Sequence, residues 1–494
     1  MIRLSGFMFL MVAVCCLFAA APSEALANDC EQTTGLFFNH GAYPGYNLFG
    51  PYRGYTTYLM DNYGNFVHKW VDPNRHSAGA SAYLTKRGTL LRACYVDTKY
   101  DPDNPGRGAG KGGLIREYAW CPDKDGNAVV LWQYRYNTEN VLQHHDFIQL
   151  PNGNILITAR EKSADYEGDW EHLIEVKPIH KRCHHPGCYR KLCEHKRYDK
   201  DTLPAHGVGG KIVWEWHLLD HLVPEGEDPA DYPERWDPEL GGPRINAVDY
   251  SPFLNQLLIS TENEIWVIDK STNTRQAAGH RCGYYRKGGD LLYRWGDPKT
   301  YLGEDTEYPQ TSFFQHGVKW IRPQMFGYYM CGQAVGNVLF FNNRANQGTS
   351  TVDEFTPPRK WYGFYEQPAY GEAFGPDELA WSFSLASAGL PPGPFLGSAQ
   401  RLPNGNTLLN SGPSGTMAEV TPKGGVVWKY VNPVVNTSPV GPTPRPNDDK
   451  ILGPCDPIPN VGGGTNMVFR LTRYSPYYAG FWGKKLPCLK PKKK

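Results

Sequence analysis

The sequence predicts an all-β protein that folds as a six-bladed β-propeller, and two recurring kinds of segment lead to this prediction. One kind is aromatic, such as VHKW at 67–70 and VWKY at 427–430, and several examples follow a turn and a returning strand. The other contains an Asn-Gly turn, as in LPNGNILITA at 150–159 and LPNGNTLLNSG at 402–412. Short repeated strands joined by Asn-Gly and Asp-Gly turns are typical of propeller blades. Six aromatic segments indicate six blades, at 67–70, 131–134, 213–216, 292–295, 380–383 and 427–430.

Composition agrees with a turn-rich β structure in one long domain. Glycine and proline number 53 and 41, which is typical of many turns, and an aromatic content of 13% disfavours disorder. Helical periodicity is scarce. Residues 28–55 are expected to form a lead-in strand, 56–475 the propeller and 476–494 a basic tail. Uneven spacing of the aromatic segments predicts long loops, and strands from both termini are expected to close one blade.

Residues 1–27 have the pattern of a signal peptide. Arg3 precedes an apolar run at 7–21, and the small-x-small sequence ALA follows at 25–27. The apolar run is short for a bilayer span, so a membrane anchor is the less favoured alternative. We therefore expect an exported protein, periplasmic or secreted, without a membrane span. Ten of the 12 cysteines lie beyond this segment, and in an exported chain they favour disulfides.

An insertion at 177–211 departs from the blade pattern. It is basic and carries Cys183, Cys188 and Cys193 with four residues between successive cysteines, and His195 follows. Zinc sites favour two to four intervening residues, so zinc is possible here, but disulfides are favoured; free thiols are the third alternative. The chain's net charge of +1 gives no indication of nucleic acid or an anionic membrane as a partner.

The candidate site residues precede or begin strands in different blades. His144 and His145 stand in QHHDFIQLPNGN, where Asp146 is a candidate to hold one histidine tautomer. His316 in FFQHGVKW has the corresponding place in another blade. Because equivalent positions of a propeller meet at the channel, we expect these histidines to converge, although a structural role for them stays open.

Four further residues are candidates for binding a substrate. Arg244 and Asn246 lie in RINAVDY, Glu262 follows the strand QLLIST, and Arg401 lies in SAQRLPNGN. An arginine at a channel mouth can clamp an anion with two parallel hydrogen bonds.

Several motifs, from about residue 56 to 473 and in the right order, resemble the arylsulfotransferase family of PAPS-independent arylsulfate sulfotransferases. This resemblance implies a six-bladed propeller that transfers a sulfuryl group from an aryl sulfate to a phenol through a transiently sulfated histidine. It implies no PAPS cofactor, and no Gly-rich phosphate loop is found in a strand–helix context. The expected partners are small aryl sulfates and phenols, while the oligomeric state stays open. The motifs are HHDFIQLPNGN, IVWEWHLLDHL, INAVDYSPFLNQLLIS, EIWVIDK, LLYRWGDPKTY, FFQHGVKWI, STVDEFTPP and SAQRLPNGNTLLNSG.

The resemblance assigns roles to the histidines. His316 matches the family's nucleophile, and His145, with His144 beside it, matches a histidine that binds sulfate. Gly317 stands where many relatives have a polar or acidic residue.

Two positions depart from the family pattern. Arg244 stands where the family typically has a histidine, and Glu262 stands where it typically has an arginine. In the family both positions serve one sulfate site, so the resemblance implies that these two oppositely charged side chains are neighbours and form an ion pair at the channel mouth. This pair is expected to weaken the binding of an anionic donor. The alternative function is therefore a propeller with an altered or inactive site that acts as a binding or surface-interaction protein.

Overall fold

Six small antiparallel sheets make up nearly all of the structure, which is a computed structural model. The sheets are arranged around a channel, so the predicted six-bladed β-propeller is confirmed. The structure describes residues 30–52, 54–96, 112–180, 204–322, 336–346, 348–360, 363–435, 449–459 and 466–486.

Most blades follow chain order, with the first strand innermost and the fourth outermost. The chain begins with β1 (Gly35–Asn39), β2 (Tyr46–Pro51), β3 (Thr56–Asp61) and β4 (Phe66–Val71). Next come β5 (Ala78–Leu84), β6 (Leu90–Tyr95), β7 (Gly113–Pro122) and β8 (Ala128–Arg135). They are followed by β9 (Val141–Gln149), β10 (Ile155–Lys162), β11 (Asp169–Pro178) and β12 (Gly210–His217). Blade two is β5–β8, and blade three is β9–β12.

The later blades continue in the same way. Blade four is β13 (Ala247–Ser251), β14 (Gln256–Ser260), β15 (Ile265–Asp269) and β16 (Tyr293–Trp295); blade five is β17 (His316–Trp320), β18 (Val338–Asn346), β19 (Thr349–Phe355) and β20 (Trp381–Ser384); and blade six begins with β21 (Ser398–Arg401), β22 (Thr407–Ser411), β23 (Thr416–Val420) and β24 (Val426–Val431). A two-stranded ribbon, β25 (Val434–Val435) and β26 (Lys450–Ile451), precedes β27 (Val468–Tyr474).

Helices are short. Those in the described ranges are α1 (Thr274–Ala277), α2 (Lys299–Leu302) and the 3₁₀ turns Leu218–His221, Pro229–Asp231, Pro238–Leu240, Ala386–Ala388 and Ala479–Phe481. Within these ranges, no helix has the length and apolar character that a bilayer crossing requires.

Strands from the two ends of the chain close the propeller. β27 pairs with β2 and is the inner strand of blade one, whose order is β27-β2-β3-β4. β1 pairs with β24 and adds a fifth strand to blade six. The expected lead-in at 28–55 is thus wrong in detail: it holds two strands, both of which belong to blades, because each finds an unpaired strand edge.

The ends are also fixed by other contacts. A disulfide joins Cys30 to Cys455 and so links the N-terminal segment to the loop before β27. Part of the expected basic tail is packed, since Phe481 is 6% exposed and contacts Tyr46 and Trp120. Among the described cysteines, Cys94, Cys121 and Cys282 have free thiols.

Some expectations fall outside the described residues. The signal peptide at 1–27 is one of them, as are Cys183, Cys188, Cys193 and His195 of the insertion. The described ends of the insertion belong to the β11–β12 hairpin, in which Lys177 pairs with Lys211.

The aromatic segments of the sequence fall on the outermost strands, where their tryptophans link each blade to the next. Each indole N–H donates to a backbone carbonyl of the following blade, over 2.6–3.0 Å. Most of these indoles are buried, where an unpaired N–H or carbonyl is costly. The bonds form a closed cycle: Trp70 to Ala119, Trp132 to Gly209, Trp216 to Gly289, Trp295 to Pro376, Trp381 to Pro422, and Trp428 to Asn62.

This cycle predicts the effect of removing one donor. Trp132→Phe should lower the free energy of unfolding by roughly 1–3 kcal/mol, because the indole's hydrogen bond to the Gly209 carbonyl is lost and the smaller ring fills a fully buried site less well. Urea denaturation measures the change, and Trp482→Phe is the control because Trp482 is 76% exposed. Equal unfolding midpoints for the two variants would contradict a stabilising role for the cycle.

Candidate functional site

Two of the predicted histidines meet at the channel. His145 lies in β9 and His316 begins β17, and both strands are innermost in their blades. Their imidazole centroids lie 6.2 and 6.3 Å from the ring centroid of Phe469, which is on β27. The structure therefore brings residues from three blades to one place.

Local backbone irregularities set the direction of both histidine side chains. The register of β9 against β10 shifts at the histidine pair, where His145 has a φ of 43°. The register of β17 shifts just after His316, where Gly317 has a φ of 69°. A Cβ at Gly317 would lie 3.0 Å from the Cα of Ser398, so this bulge requires glycine.

Asn343 fixes the tautomer of His316. The Nδ1 atom of His316 lies 2.7 Å from Oδ1 of Asn343 and 3.1 Å from the carbonyl of Phe314. Asn343 donates from Nδ2 to the carbonyls of Gly393 and Leu396, which sets the direction of its amide. Both neighbours of Nδ1 are therefore acceptors, so Nδ1 carries the proton and Nε2 has a free lone pair.

His316 is neutral at neutral pH. Burial lowers its pKa to about 4, against the opposing effect of its hydrogen bond to Asn343, and the cations Arg470 and Arg244 lower it further. A neutral imidazole with a free nitrogen is a competent nucleophile.

His145 belongs to a buried chain of three residues. Its Nδ1 atom lies 2.7 Å from Nδ1 of His144, and Nε2 of His144 lies 2.9 Å from Oε2 of Glu171, on β11. All three are at most 4% exposed. Burial lowers the pKa of His145 well below its usual range, and the nearby His144 and His316 lower it further. Glu171 is not among the residues predicted from the sequence, although a Glu-His pair inside an apolar strand is an unusual pattern.

Asp146 does not orient either histidine, so this expectation is wrong. Its carboxylate accepts hydrogen bonds from Tyr83 Oη at 2.8 Å, from its neighbour Phe147 N at 3.0 Å and from Val248 N at 3.2 Å. It also forms a buried ion pair with Arg470. Asp146 therefore joins strands of four blades, namely β5, β9, β13 and β27.

Arg244 and Glu262 form the ion pair that the sequence predicts. Nη1 of Arg244 lies 3.3 Å from Oε1 of Glu262, and both side chains are substantially exposed. Arg244 also contributes to the low pKa of both His145 and His316, which places its charge near them. Such an exposed pair contributes little to stability and can open at low cost.

Asn246 and Arg401 stand apart from the histidines' chemistry. Asn246 is buried. Its Nδ2 donates to the carbonyls of Thr261 and Gln315, and its Oδ1 accepts a hydrogen bond from Ser260 Oγ. It thereby supports the residue that precedes His316.

Arg401 is the last residue of β21, the inner strand of blade six, whereas His316 is the first residue of β17, the inner strand of blade five. Arg401 pairs with Glu354 and lies over the ring of Trp381. It lines a cavity of about 920 Å³ around the later halves of the inner strands, whereas His316 is the first residue of its strand. The structure therefore does not bring Arg401 to the histidines.

Two clusters in the described ranges have residue types that bind metals. In the first, Glu161, His172 and His217, the two imidazoles are stacked with an interplanar angle of 7°, so their in-plane lone pairs do not converge. The second contains His221, His280 and Asp290, but both nitrogens of His221 are already hydrogen-bonded. Both clusters are therefore better explained as hydrogen-bond networks.

Comparisons with known proteins do not identify an activity. No protein-family model and no curated protein matches the chain. Similar solved structures include a protein of unknown function from Bacteroides caccae, with 10% identity and a TM-score of 0.40, over 78% of this chain and 93% of that one. They also include a catalytically inactive virginiamycin B lyase from Staphylococcus aureus with quinupristin, with 11% identity and a TM-score of 0.34, over 81% and 89%. At this level of similarity, the arylsulfotransferase resemblance rests on the motifs alone.

The state of His316 can be tested by NMR on protein with ¹⁵N-labelled histidine. We expect the neutral Nδ1–H tautomer at pH 6, with protonation near pH 4, because burial lowers the pKa. His217 is an internal contrast: burial lowers its pKa, but the hydrogen bond to Glu161 outweighs this and the net shift is upward. Comparison with His316→Ala assigns the signal. Protonation of His316 at or above pH 6.5 would contradict the geometry.

Proposed function

We propose that this protein transfers a sulfuryl group from an aryl sulfate to a phenol through a covalent intermediate on His316. The observation that carries the proposal is the buried, neutral imidazole of His316. Asn343 holds its Nδ1–H, and Nε2 makes no hydrogen bond to any described residue. A second neutral imidazole, His145, contacts the same phenyl ring. The arylsulfotransferase-like motifs supply the substrate class.

In the first half-reaction, the lone pair on Nε2 of His316 attacks the sulfur of the donor. The bond between sulfur and the aryl oxygen breaks, and its electron pair leaves on the phenolate. The imidazole becomes cationic while Nδ1–H is retained. The hydrogen bonds from Nδ1 to Asn343 and to the Phe314 carbonyl strengthen with this charge, so they stabilise the intermediate.

In the second half-reaction, the oxygen of the acceptor phenol attacks sulfur. The N–S bond breaks, its electron pair returns to Nε2 of His316, and the phenol proton passes to Nε2 of His145. This route needs no nucleotide cofactor, because the donor carries the activated group.

We assign Arg244 the role of neutralising the sulfuryl oxygens, because its charge acts on both His145 and His316. Its ion pair with Glu262 competes with this role, since the carboxylate both occupies the guanidinium and repels an anionic donor. Because the pair is exposed, Arg244 can exchange Glu262 for a sulfuryl group. A protein that only binds a partner has no need of two oriented neutral imidazoles, so we favour catalysis over a purely binding role.

Intact-mass measurement tests the covalent step. After incubation with an aryl sulfate, the protein should gain one SO₃ group and release the phenol, and His316→Ala should do neither. His68→Ala is a matched control, because burial likewise lowers the pKa of His68 to about 4, but this residue stacks on Trp120 at the outside of blade one. An adduct on His316→Ala protein would remove His316 as the nucleophile.

Donor binding should depend on Glu262. Glu262→Gln should tighten the binding of a non-hydrolysable aryl sulfonate by about three- to ten-fold, because removing the carboxylate frees Arg244. Glu262→Arg should tighten it at least as much. Calorimetry measures both, with Glu378→Gln as a control at an exposed site before β20. Unchanged affinity in both Glu262 variants would show that this ion pair does not govern recognition.

A further inference from the structure

We infer that Glu171 and His144 are positioning residues, which hold His145 as the base for the acceptor phenol and stabilise the proton it takes up. The inference rests on the proposed sulfuryl transfer and concerns its second half-reaction. It assigns a purpose to a buried carboxylate that the sequence analysis did not single out.

The proton positions follow from the donor and acceptor groups. An ionised Glu171 can only accept, so the Nε2 atom of His144 carries a proton toward it. With this proton on Nε2, the Nδ1 atom of His144 is the acceptor in the chain. The facing Nδ1 of His145 lies 2.7 Å away and must donate to it. The remaining nitrogen of His145, Nε2, therefore has a lone pair and is the basic atom of the chain.

Burial makes this arrangement effective. Glu171 is 2% exposed and His144 is 1% exposed, so water does not screen the carboxylate from the imidazoles. Hydrogen bonds in such a low-dielectric setting are strong, and a chain of them polarises together. Both nitrogens of His144 are used in the chain, so His144 itself has no atom left to bind a sulfuryl oxygen.

The chain acts when the phenol loses its proton. As the new S–O bond forms and the N–S bond to His316 breaks, the O–H bond of the phenol breaks and its proton goes to Nε2 of His145. The resulting imidazolium donates from Nδ1 to His144, which in turn donates to the negative Glu171. The positive charge is thus compensated inside the protein, and the proton leaves to solvent after the product.

This arrangement predicts a dependence on the acidity of the acceptor. A weakly acidic phenol must give up its proton during the attack and therefore needs the base. An acidic phenol is already ionised in solution and does not. The relay thus broadens the acceptor class toward weakly acidic phenols.

The test compares the two half-reactions in Glu171→Gln. With 4-methylumbelliferyl sulfate as the donor, the burst of fluorescent phenol and the SO₃ adduct report the first half-reaction. Decay of the adduct with a graded series of phenols, from 4-nitrophenol to 4-methoxyphenol, reports the second. Glu161→Gln is the matched control, since Glu161 also pairs with a histidine of blade three, His217, which is outside the relay.

We expect Glu171→Gln to form the adduct normally, and to transfer it roughly 10- to 100-fold more slowly to weakly acidic phenols but at nearly the original rate to 4-nitrophenol. A uniform effect across the series, or none, would overturn the relay. Absence of the adduct in the unmodified protein would instead overturn the proposed function. If Glu171→Gln fails to fold, histidine NMR of the unmodified protein decides: protons on Nδ1 of His145 and Nε2 of His144 are expected, and the opposite tautomers would refute the inference.

Discussion

The cycle of tryptophan hydrogen bonds between blades is the interaction on which the rest of the structure depends. A propeller blade cannot bury both of its faces alone, so each sheet must pack against the next at a fixed distance and angle. The six indoles provide both the apolar area and one directed bond per interface, and Trp428 closes the cycle by donating to Asn62 of blade one. The position of the channel, and of every residue that lines it, follows from this repeated contact.

Within the propeller, the buried ion pair between Asp146 and Arg470 joins the inner strands of blades three and one at the channel. Arg470 is on β27, the last strand of the propeller, and Asp146 directly follows His145 on β9. The carboxylate of this buried pair has further partners, since Tyr83, Phe147 and Val248 donate to it. Closure of the ring by the C-terminal strand is therefore coupled to the conformation of the histidine strand.

The two histidines are held in different ways, and the difference matches their proposed roles. A neutral amide, Asn343, holds His316, which suits a residue that becomes cationic only while it carries a sulfuryl group. His145 is connected through His144 to a carboxylate, Glu171, which suits a residue that takes up a whole proton. Both imidazoles are neutral at rest because burial disfavours their charged forms. Arg244 supplies a positive charge at the channel mouth, and because its ion pair with Glu262 is exposed, the pair can open at low cost.

The sequence alone determined the blades and where the histidines stand in them. Aromatic segments and Asn-Gly turns are local patterns with a strand period, and because each blade repeats them, six blades and the meeting of His145 with His316 could be predicted. The family resemblance makes the positions of Arg244 and Glu262 neighbours, and with their opposite charges it predicted their contact. The tertiary structure decided which groups hold the histidines. Asn343 and Glu171 reach the histidines from other strands, and a local pattern carries no information about such distant partners. For this reason the sequence points to the neighbouring Asp146 as the orienting group, whereas the structure pairs Asp146 with Arg470. Likewise, only the fold shows that Arg401 faces the other end of the channel, because direction along an inner strand has no signature in the residues themselves.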